Sequence, residues 1–167
     1  MLLVEMFCPG PARLEKDDME AITAEQVRSQ VRDFWDAFIT RSKSRFQEFY
    51  SPTASCFAAD GRRSEPARLM WVRREREFFG PKSSVAAKVG AVTVQLLGPN
   101  LGVACYPFHF SIIRVLPNGN RVQVEVPFSR ATQVFQRGSD GKMVIIHEHL
   151  SSAEPTTPKE LPPEPGG

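Results

Sequence analysis

The hydrophobic pattern of the chain changes near residue 83 and does not change back. Before that point apolar residues recur at helical spacing, and after it they alternate with polar residues as far as residue 151. A period near 3.6 is typical of amphipathic helices, whereas a period of two is typical of strands that bury one face. We therefore expect helices first and a long sheet second, which is the order of an α+β domain.

The first helix is predicted to begin at Thr23. Thr23 and Gln26 have the spacing of a capping box, in which each side chain accepts a hydrogen bond from the other residue's backbone N–H. The apolar residues that follow form one stripe at helical spacing: Val27, Val31, Phe34, Trp35 and Phe38. This stripe predicts a helix that packs through aromatic side chains.

Two further helices and a short strand are expected before residue 83. The second helix spans residues 43–50 and ends because Pro52 follows it. A strand at 54–59 comes next. Ser64 then predicts the start of a third helix, with Pro66 tolerated in its first turn.

The second half of the chain predicts a long, bent sheet. Short turns rich in Gly, Asn, Asp and Pro indicate antiparallel neighbours, and Pro107 and Pro127 inside the β segments indicate bulges. The expected fold is α+β, a cone-shaped barrel with three N-terminal helices in the concave face of the sheet. The four expected β segments are 85–97, 102–116, 121–136 and 142–151.

Length and composition predict one domain, since 167 residues with 41% hydrophobic content can bury a core. Residues 1–22 are mixed and charged and are expected to form a loosely ordered leader. Residues 23–153 form the expected cone domain. Residues 154–167 contain five prolines and little that could join a core, which predicts a disordered tail.

Several function classes are disfavoured. A formal charge of +2 gives no global attraction to nucleic acid, and the basic stretch from Arg62 to Arg76 reads as a solvated helix face. No segment reaches the roughly 20 apolar residues of a membrane-spanning helix. The three widely spaced cysteines favour a reducing compartment, so a cytoplasmic protein is expected. No cofactor is expected, because phosphate loops, dinucleotide fingerprints and Cys-x-x-Cys pairs are absent from the sequence.

The C-terminal strands resemble a known superfamily. The segment DGKMVIIHEHLSS, from Asp140 to Ser152, and the segment SRATQVF, from Ser129 to Phe135, resemble nuclear-transport-factor-2-like (cystatin-like cone) proteins. The likeness is to the SnoaL-like branch and to the association domain of calcium/calmodulin-dependent protein kinase II, and it covers residues 24–152. It implies a cone with an internal pocket. The superfamily includes isomerases, cyclases, dehydratases and oligomerisation modules.

The sequence departs from two patterns of these relatives. Ketosteroid isomerases use a tyrosine, a protonated acid and an aspartate base, whereas the acids of the β region here are Glu125, Asp140 and Glu148. The kinase association domain places arginines in its pocket, and Gln133 stands at one of those positions. A site of either known kind therefore does not transfer residue by residue.

His147 and His149 are the most distinctive polar pair. Two residues apart on a strand, they share a face with Ile145 and Ser151. One imidazole can act as acid or base at a pocket mouth. The pair can instead bind a metal with His109, although no acidic residue near His109 would orient it and no metal is expected. In the third interpretation the histidines are structural, at a neighbouring strand or a subunit interface.

The remaining candidates are large or polar side chains of the expected cone. Asp60 is a candidate base, and Tyr50 and Tyr106 are the only phenols. The candidate catalytic residues are thus His147, His149, Asp60 and Tyr50. The candidate pocket residues are Trp35, Phe38, Phe57, Trp71, Phe79, Tyr106 and Gln133.

The sequence leaves three functions open. The first is an internal pocket that binds a small, mainly apolar molecule. The second is an isomerase, cyclase or dehydratase acting on a carbonyl or polycyclic substrate, and the third is a non-catalytic association module. A mild mixture of polar and apolar residues on the second face of the sheet, such as His109, Ser111 and Gln123, favours a homodimer formed sheet to sheet.

Overall fold

A computed structural model describes residues 20–57, 64–69, 72, 83–151 and 157–162. Two helices precede the sheet, α1 (Ala24–Ile39) and α2 (Lys43–Glu48), and residues 67–69 and 72 are also helical. The strands are β1 (Tyr50–Phe57), β2 (Ser64–Pro66), β3 (Ser84–Val89), β4 (Thr93–Gly98), β5 (Leu101–Val115), β6 (Arg121–Arg137), β7 (Met143–Ser151) and β8 (Lys159–Leu161).

The strands form one curled sheet in the order β2-β1-β7-β6-β5-β3, with β4 also on β5 and β8 also on β6. Every described pair is antiparallel except β1 with β7, which is parallel. The α+β class and the cone shape are confirmed. The sheet is mixed rather than wholly antiparallel because β1 precedes the long meander in sequence and joins its last strand in space.

Helix α1 lies in the concave face of the sheet. Its capping box is present: the Thr23 hydroxyl accepts from the Gln26 N–H at 3.2 Å, and the Gln26 side-chain oxygen accepts from the Thr23 N–H at 2.9 Å. The predicted apolar stripe is the buried face, since Val27, Val31, Phe34, Trp35, Ala37 and Phe38 are all buried.

The region after α1 differs from its prediction. Helix α2 ends at Glu48, and β1 begins at Tyr50. The strand begins this early because the Phe49 carbonyl accepts a hydrogen bond from the Ile145 N–H at 2.7 Å, which holds the chain against β7. Pro52 lies inside β1 rather than at a helix end. Ser64 and Pro66 belong to the edge strand β2, where a proline is tolerated, so the helical residues begin at Ala67 and the expected N-cap is wrong.

A glycine divides the first expected β segment into two strands. Gly90 lies between β3 and β4, and its N–H donates to the Pro107 carbonyl at 2.9 Å. A Cβ at Gly90 would stand 2.7 Å from Pro107 Cγ, so the close approach favours glycine. As a result β3 and β4 pair with different halves of β5.

The predicted bulge at Pro127 is present, whereas Pro107 pairs in register with Arg130 and the bulge expected there is wrong. Phe108 pairs with Ser129 and Phe110 pairs with Val126, so two residues of β6 oppose one residue of β5. Such a bulge bends the strand and reverses which side chains point inward beyond it. Ser129 is therefore buried, although a strict alternation from Val126 would place it on the outer face.

Described residues on both sides of the expected domain, 23–153, are ordered against it. Ile22 is buried and its N–H donates to the Pro99 carbonyl at 2.7 Å. Within the segment predicted as a disordered tail, β8 pairs antiparallel with Arg121–Gln123 of β6. In the part of the chain that the structure describes, no helix has the length and apolar character needed to cross a membrane.

Replacing Phe34 by alanine should lower the free energy of unfolding by about 3–5 kcal/mol, because the ring is buried and its loss leaves a cavity. Phe34 contacts the rings of Trp35, Phe49 and Tyr50 edge to face, at centroid distances of 5.8, 5.8 and 5.9 Å. Chemical denaturation measures the loss. Asp36→Ala on the exposed side of α1 is the control and should change stability by no more than about 0.5 kcal/mol. Equal losses in the two variants would contradict the placement of α1.

Candidate functional site

Polar groups are buried on the concave face of β6 and β7. Among the described residues, Ser129, Gln133 and Glu148 are polar side chains with 0% exposure. A buried carboxylate is costly unless it is hydrogen-bonded, so the surroundings of Glu148 require an explanation.

A one-residue bulge in β7 turns Glu148 inward. Val134 pairs with His147 and Phe135 pairs with Ile145, which leaves Ile146 as an extra residue on β7. Strict alternation from the buried Ile145 would point both histidines inward and Glu148 outward. Because of the bulge, Ile145 and Glu148 are both buried, and the expected common face of Ile145 with His147 is wrong.

Glu148 is surrounded by hydrogen-bond donors. The Gln133 side-chain amide donates to Oε1 at 2.7 Å, and the Tyr50 hydroxyl donates to Oε2 at 3.0 Å. The Cys56 thiol lies 3.8 Å from Oε2. These three residues come from β6, β1 and β1, so the carboxylate joins the strands on both sides of β7.

Both tyrosines belong to this buried region. Burial raises the pKa of Tyr50 well above its ordinary value, and the negative charge of Glu148 raises it further. Burial and the Glu148 charge also raise the pKa of Tyr106 well above its ordinary value, opposed by a hydrogen bond in which Trp35 Nε1 donates to the Tyr106 hydroxyl at 3.1 Å. Both phenols therefore stay protonated at neutral pH and can act as donors.

Three buried side-chain oxygen atoms lack a hydrogen bond within the described residues, and two of them belong to the buried polar residues of β6. These two are Oε1 of Gln133 and Oγ of Ser129. An unsatisfied buried acceptor costs about 1–3 kcal/mol, so such groups commonly hold water or a ligand. The buried polar cluster, defined here as Glu148, Gln133, Tyr50 and Tyr106, thus combines a carboxylate, two phenol donors and an open amide acceptor.

The two histidines lie on the opposite face of β7 from Glu148. His147 is half-buried and His149 is exposed. The His147 Nδ1 lies 2.8 Å from the Ser55 hydroxyl, and the Phe57 ring lies 6.0 Å from the His147 ring and 6.1 Å from the His149 ring, between centroids. Ser55, Phe57 and the two histidines form one aromatic and polar patch, called here the outer patch.

The structure separates the other predicted site residues. Trp35, Phe38 and Tyr106 are buried in the core, and Gln133 is in the buried polar cluster. Asp60, Trp71 and Phe79 lie outside the described residues. His109 is on β5, and β6 separates it from β7, so it does not join the two histidines. Among the residues that the structure describes, no three metal-ligating side chains form a cluster.

The sequence shows Glu148 as an acid of the last strand but does not indicate a role for it. The direction of its side chain depends on the bulge at Ile146, and an Ile-Ile pair carries no local sign of a bulge.

Alkaline titration should show no tyrosinate in the folded protein near pH 10, the ordinary pKa of tyrosine. Folding raises the pKa of both phenols. Their contribution to the free energy of unfolding is therefore complete below the ordinary pKa of tyrosine, and it is lost as the pH rises toward the pKa values of the folded protein. Ultraviolet absorbance and circular dichroism, recorded together, should show tyrosinate appearing with unfolding. Reversible ionisation in a protein that remains folded would contradict the burial of these rings.

No protein-family model matches this sequence, and curated proteins give no match. Solved structures do match. A protein assigned as a calcium/calmodulin-dependent protein kinase II association domain from Xanthomonas campestris aligns with a TM-score of 0.57 and 19% identity, over 81% of this chain and 95% of that chain. An NTF2-like protein of unknown function from Pseudomonas putida aligns with a TM-score of 0.59 and 19% identity, over 76% and 84%.

A type 2 hexachlorocyclohexane dehydrochlorinase, LinA, aligns with a TM-score of 0.59 and 10% identity, over 83% of this chain and 90% of that chain. These identities are low, and the similarity is therefore one of fold. The curled sheet, the helix in its concave face and these neighbours agree: the chain has the nuclear-transport-factor-2-like, or cystatin-like, fold and is similar in structure to kinase II association domains.

Proposed function

We propose that the protein binds a small, mainly apolar molecule inside the cone, and that the buried polar cluster holds the polar end of that molecule. The observation that carries this proposal is Gln133 Oε1, which is fully buried and has no hydrogen bond among the described residues. An acceptor in this position favours a ligand with one hydroxyl or amine donor.

The neighbours of Gln133 support such a ligand. Ala104 is the cross-strand partner of Gln133, and Ala131 is the partner of Tyr106, so short side chains flank both polar groups. Both alanines are buried, and Phe135 continues the same inner face of β6. A molecule placed here would meet apolar walls and a few directional polar groups, the usual composition of a small-molecule site.

A series of para-alkyl phenols and the matching alkylbenzenes tests the proposal. The phenols should raise the melting temperature of the full chain more than the alkylbenzenes do, because only the phenols donate a hydrogen bond to Gln133. The preference should be about threefold to tenfold in dissociation constant, as one neutral hydrogen bond provides. Calorimetry gives the constants.

The variant Gln133→Leu removes the acceptor and should abolish the preference for phenols. Gln136→Leu makes the same change at an exposed position of the same strand, and should leave the preference unchanged. If no member of either series binds, or if Gln133→Leu retains the preference, the proposed site is wrong.

Acid–base catalysis on a carbonyl substrate is a second candidate function. The specific observation is the contact of the Tyr50 hydroxyl with Glu148 at 3.0 Å, which pairs a proton donor with a carboxylate in a buried region. In this reaction Glu148 would remove a proton next to the carbonyl, and a phenol would donate to the developing oxyanion. The predicted candidates His147 and His149 lie on the other face of β7, and Asp60 stays an untested candidate.

Exchange of the α-protons of 2-tetralone into deuterated water, followed by NMR, tests this second function. The protein should accelerate the exchange, and Glu148→Gln should lower the rate by about a hundredfold or more, since general-base catalysis contributes about that factor. His149→Ala should leave the rate unchanged. A rate that depends on His149 and not on Glu148 would favour the histidine assignment instead.

We also propose that the protein forms a homodimer through the convex face of the sheet. The outer patch supports this assignment, because Phe57 is a large aromatic side chain with 37% exposure next to two histidines. Aromatic residues are enriched in the centres of interfaces. Solved association domains share this fold, which supports a purely associating role as the third candidate function of the chain.

The variant Phe57→Glu should weaken the dimer by at least about tenfold, since it would bury an unpaired charge at the interface. Sedimentation velocity across a concentration series measures the change. Leu69→Glu introduces the same charge at a residue with 64% exposure that lies outside the sheet, and it should leave the dimer intact. A monomeric wild-type protein, or equal effects of the two substitutions, would contradict the proposal.

A further inference from the structure

A cleft of about 740 Å³ opens on the outside of the cone. It lies between α1, α2, the start of β1 and the turn from β6 to β7. The apolar part of its lining comes from Phe49, Pro52, Met143 and Val144. The volume is within the range typical of small-molecule sites.

Cationic side chains outnumber acidic ones in this outer cleft. Four cationic residues line it, of which Arg45 is compensated by Asp33 at 3.7 Å, an exposed pair of little energetic value. Glu48 is the only other acidic residue of the lining. The lining of the cleft therefore has a net positive charge, and the side chains that provide it are Arg68, Arg137 and Lys142.

The two remaining guanidinium groups have neutral partners. Arg68 Nη2 donates to the Tyr50 carbonyl at 2.6 Å, and Arg137 donates to the Glu20 carbonyl at 2.6 Å and to the Gln26 side-chain oxygen at 2.8 Å. The Nε atoms of Arg68 and Arg137 are buried and have no acceptor within the described residues. These contacts fix the positions of both groups, and no carboxylate among the described residues forms an ion pair with either of them.

The turn after β6 adds the third cation. The Gly138 N–H donates to the Lys142 carbonyl at 2.9 Å, and the Lys142 N–H donates to Asp140 Oδ1 at 3.1 Å. Gly141 has a φ of 76°, a conformation that glycine adopts without strain. The turn thereby holds the backbone of Lys142 at the edge of the cleft, between Gly141 and Met143 of the lining.

We propose that this outer cleft binds a small organic anion whose carboxylate or phosphate contacts Arg68, Arg137 and Lys142 and whose apolar part covers Phe49 and Met143. Planar guanidinium groups match carboxylate and phosphate oxygens, and their fixed positions reduce the entropy lost on binding. The outer cleft shares Tyr50 with the buried polar cluster: the Tyr50 carbonyl accepts from Arg68 in the cleft, and the Tyr50 hydroxyl donates to Glu148 in the interior. The proposal does not depend on the function proposed for that cluster.

Calorimetry with the full chain tests the proposal, using 4-phenylbutyrate, phenyl phosphate and the uncharged 4-phenylbutan-1-ol as probes. At least one of the two anions should bind at least about tenfold more tightly than the alcohol, and its affinity should fall as salt is added. The tighter anion identifies the headgroup as carboxylate or phosphate. Inorganic phosphate should bind more weakly than phenyl phosphate, because it cannot use the apolar wall.

Three charge-removing variants locate the site. Arg68→Gln and Arg137→Gln should each weaken anion binding by about tenfold or more, as expected for a lost charged hydrogen bond. Lys142→Gln changes an exposed side chain, so it should fold normally and still weaken binding by at least about twofold, as loss of a surface charge pair predicts. Arg32→Gln, on α1 but outside the cleft, removes the same charge and should have no effect.

The proposal is overturned if the alcohol binds as tightly as both anions. It is equally overturned if Lys142→Gln and Arg32→Gln, both folded, bind the anion as the wild type does.

Discussion

The burial of one carboxylate organises the middle of this sheet. A fully buried acid is tolerated only with donors around it, and Glu148 obtains them from Gln133 on one neighbouring strand and Tyr50 on the other. The two contacts tie β7 to β6 and to β1, where the parallel pair closes the curl. Removing either donor would leave part of the charge uncompensated, so the position of β1 and the chemistry of the interior depend on each other.

Tyr50 connects the site to the core. Its ring packs edge to face on Phe34 at 5.9 Å, and its hydroxyl reaches Glu148. Trp35 has the same double role, since it packs on Phe38 and Phe108 and donates to Tyr106. Helix α1 therefore supplies both apolar contacts and one of the hydrogen bonds that orient the interior phenols.

The features that sequence predicted are those with local causes. The capping box at Thr23, the stripe of α1 and the bulge at Pro127 each follow from residue types at short spacing. The parallel pairing of β1, the edge strand at Ser64 and the extra residue at Ile146 depend on contacts between distant segments, and nothing near them in the sequence indicates those contacts. The extra residue at Ile146 turns Glu148 inward. Because the sequence does not indicate this bulge, it predicts a site at the two neighbouring histidines instead.

Because side chains alternate along β7, substitutions at neighbouring residues of this strand affect opposite faces of the sheet. Neighbouring residues, His147, Glu148 and His149, face different surroundings although they adjoin in the chain. A single-nucleotide change at one of the histidines would alter the convex surface while preserving the interior, and a change at the glutamate would do the reverse. The convex surface and the interior of the cone can thus diverge independently within three codons.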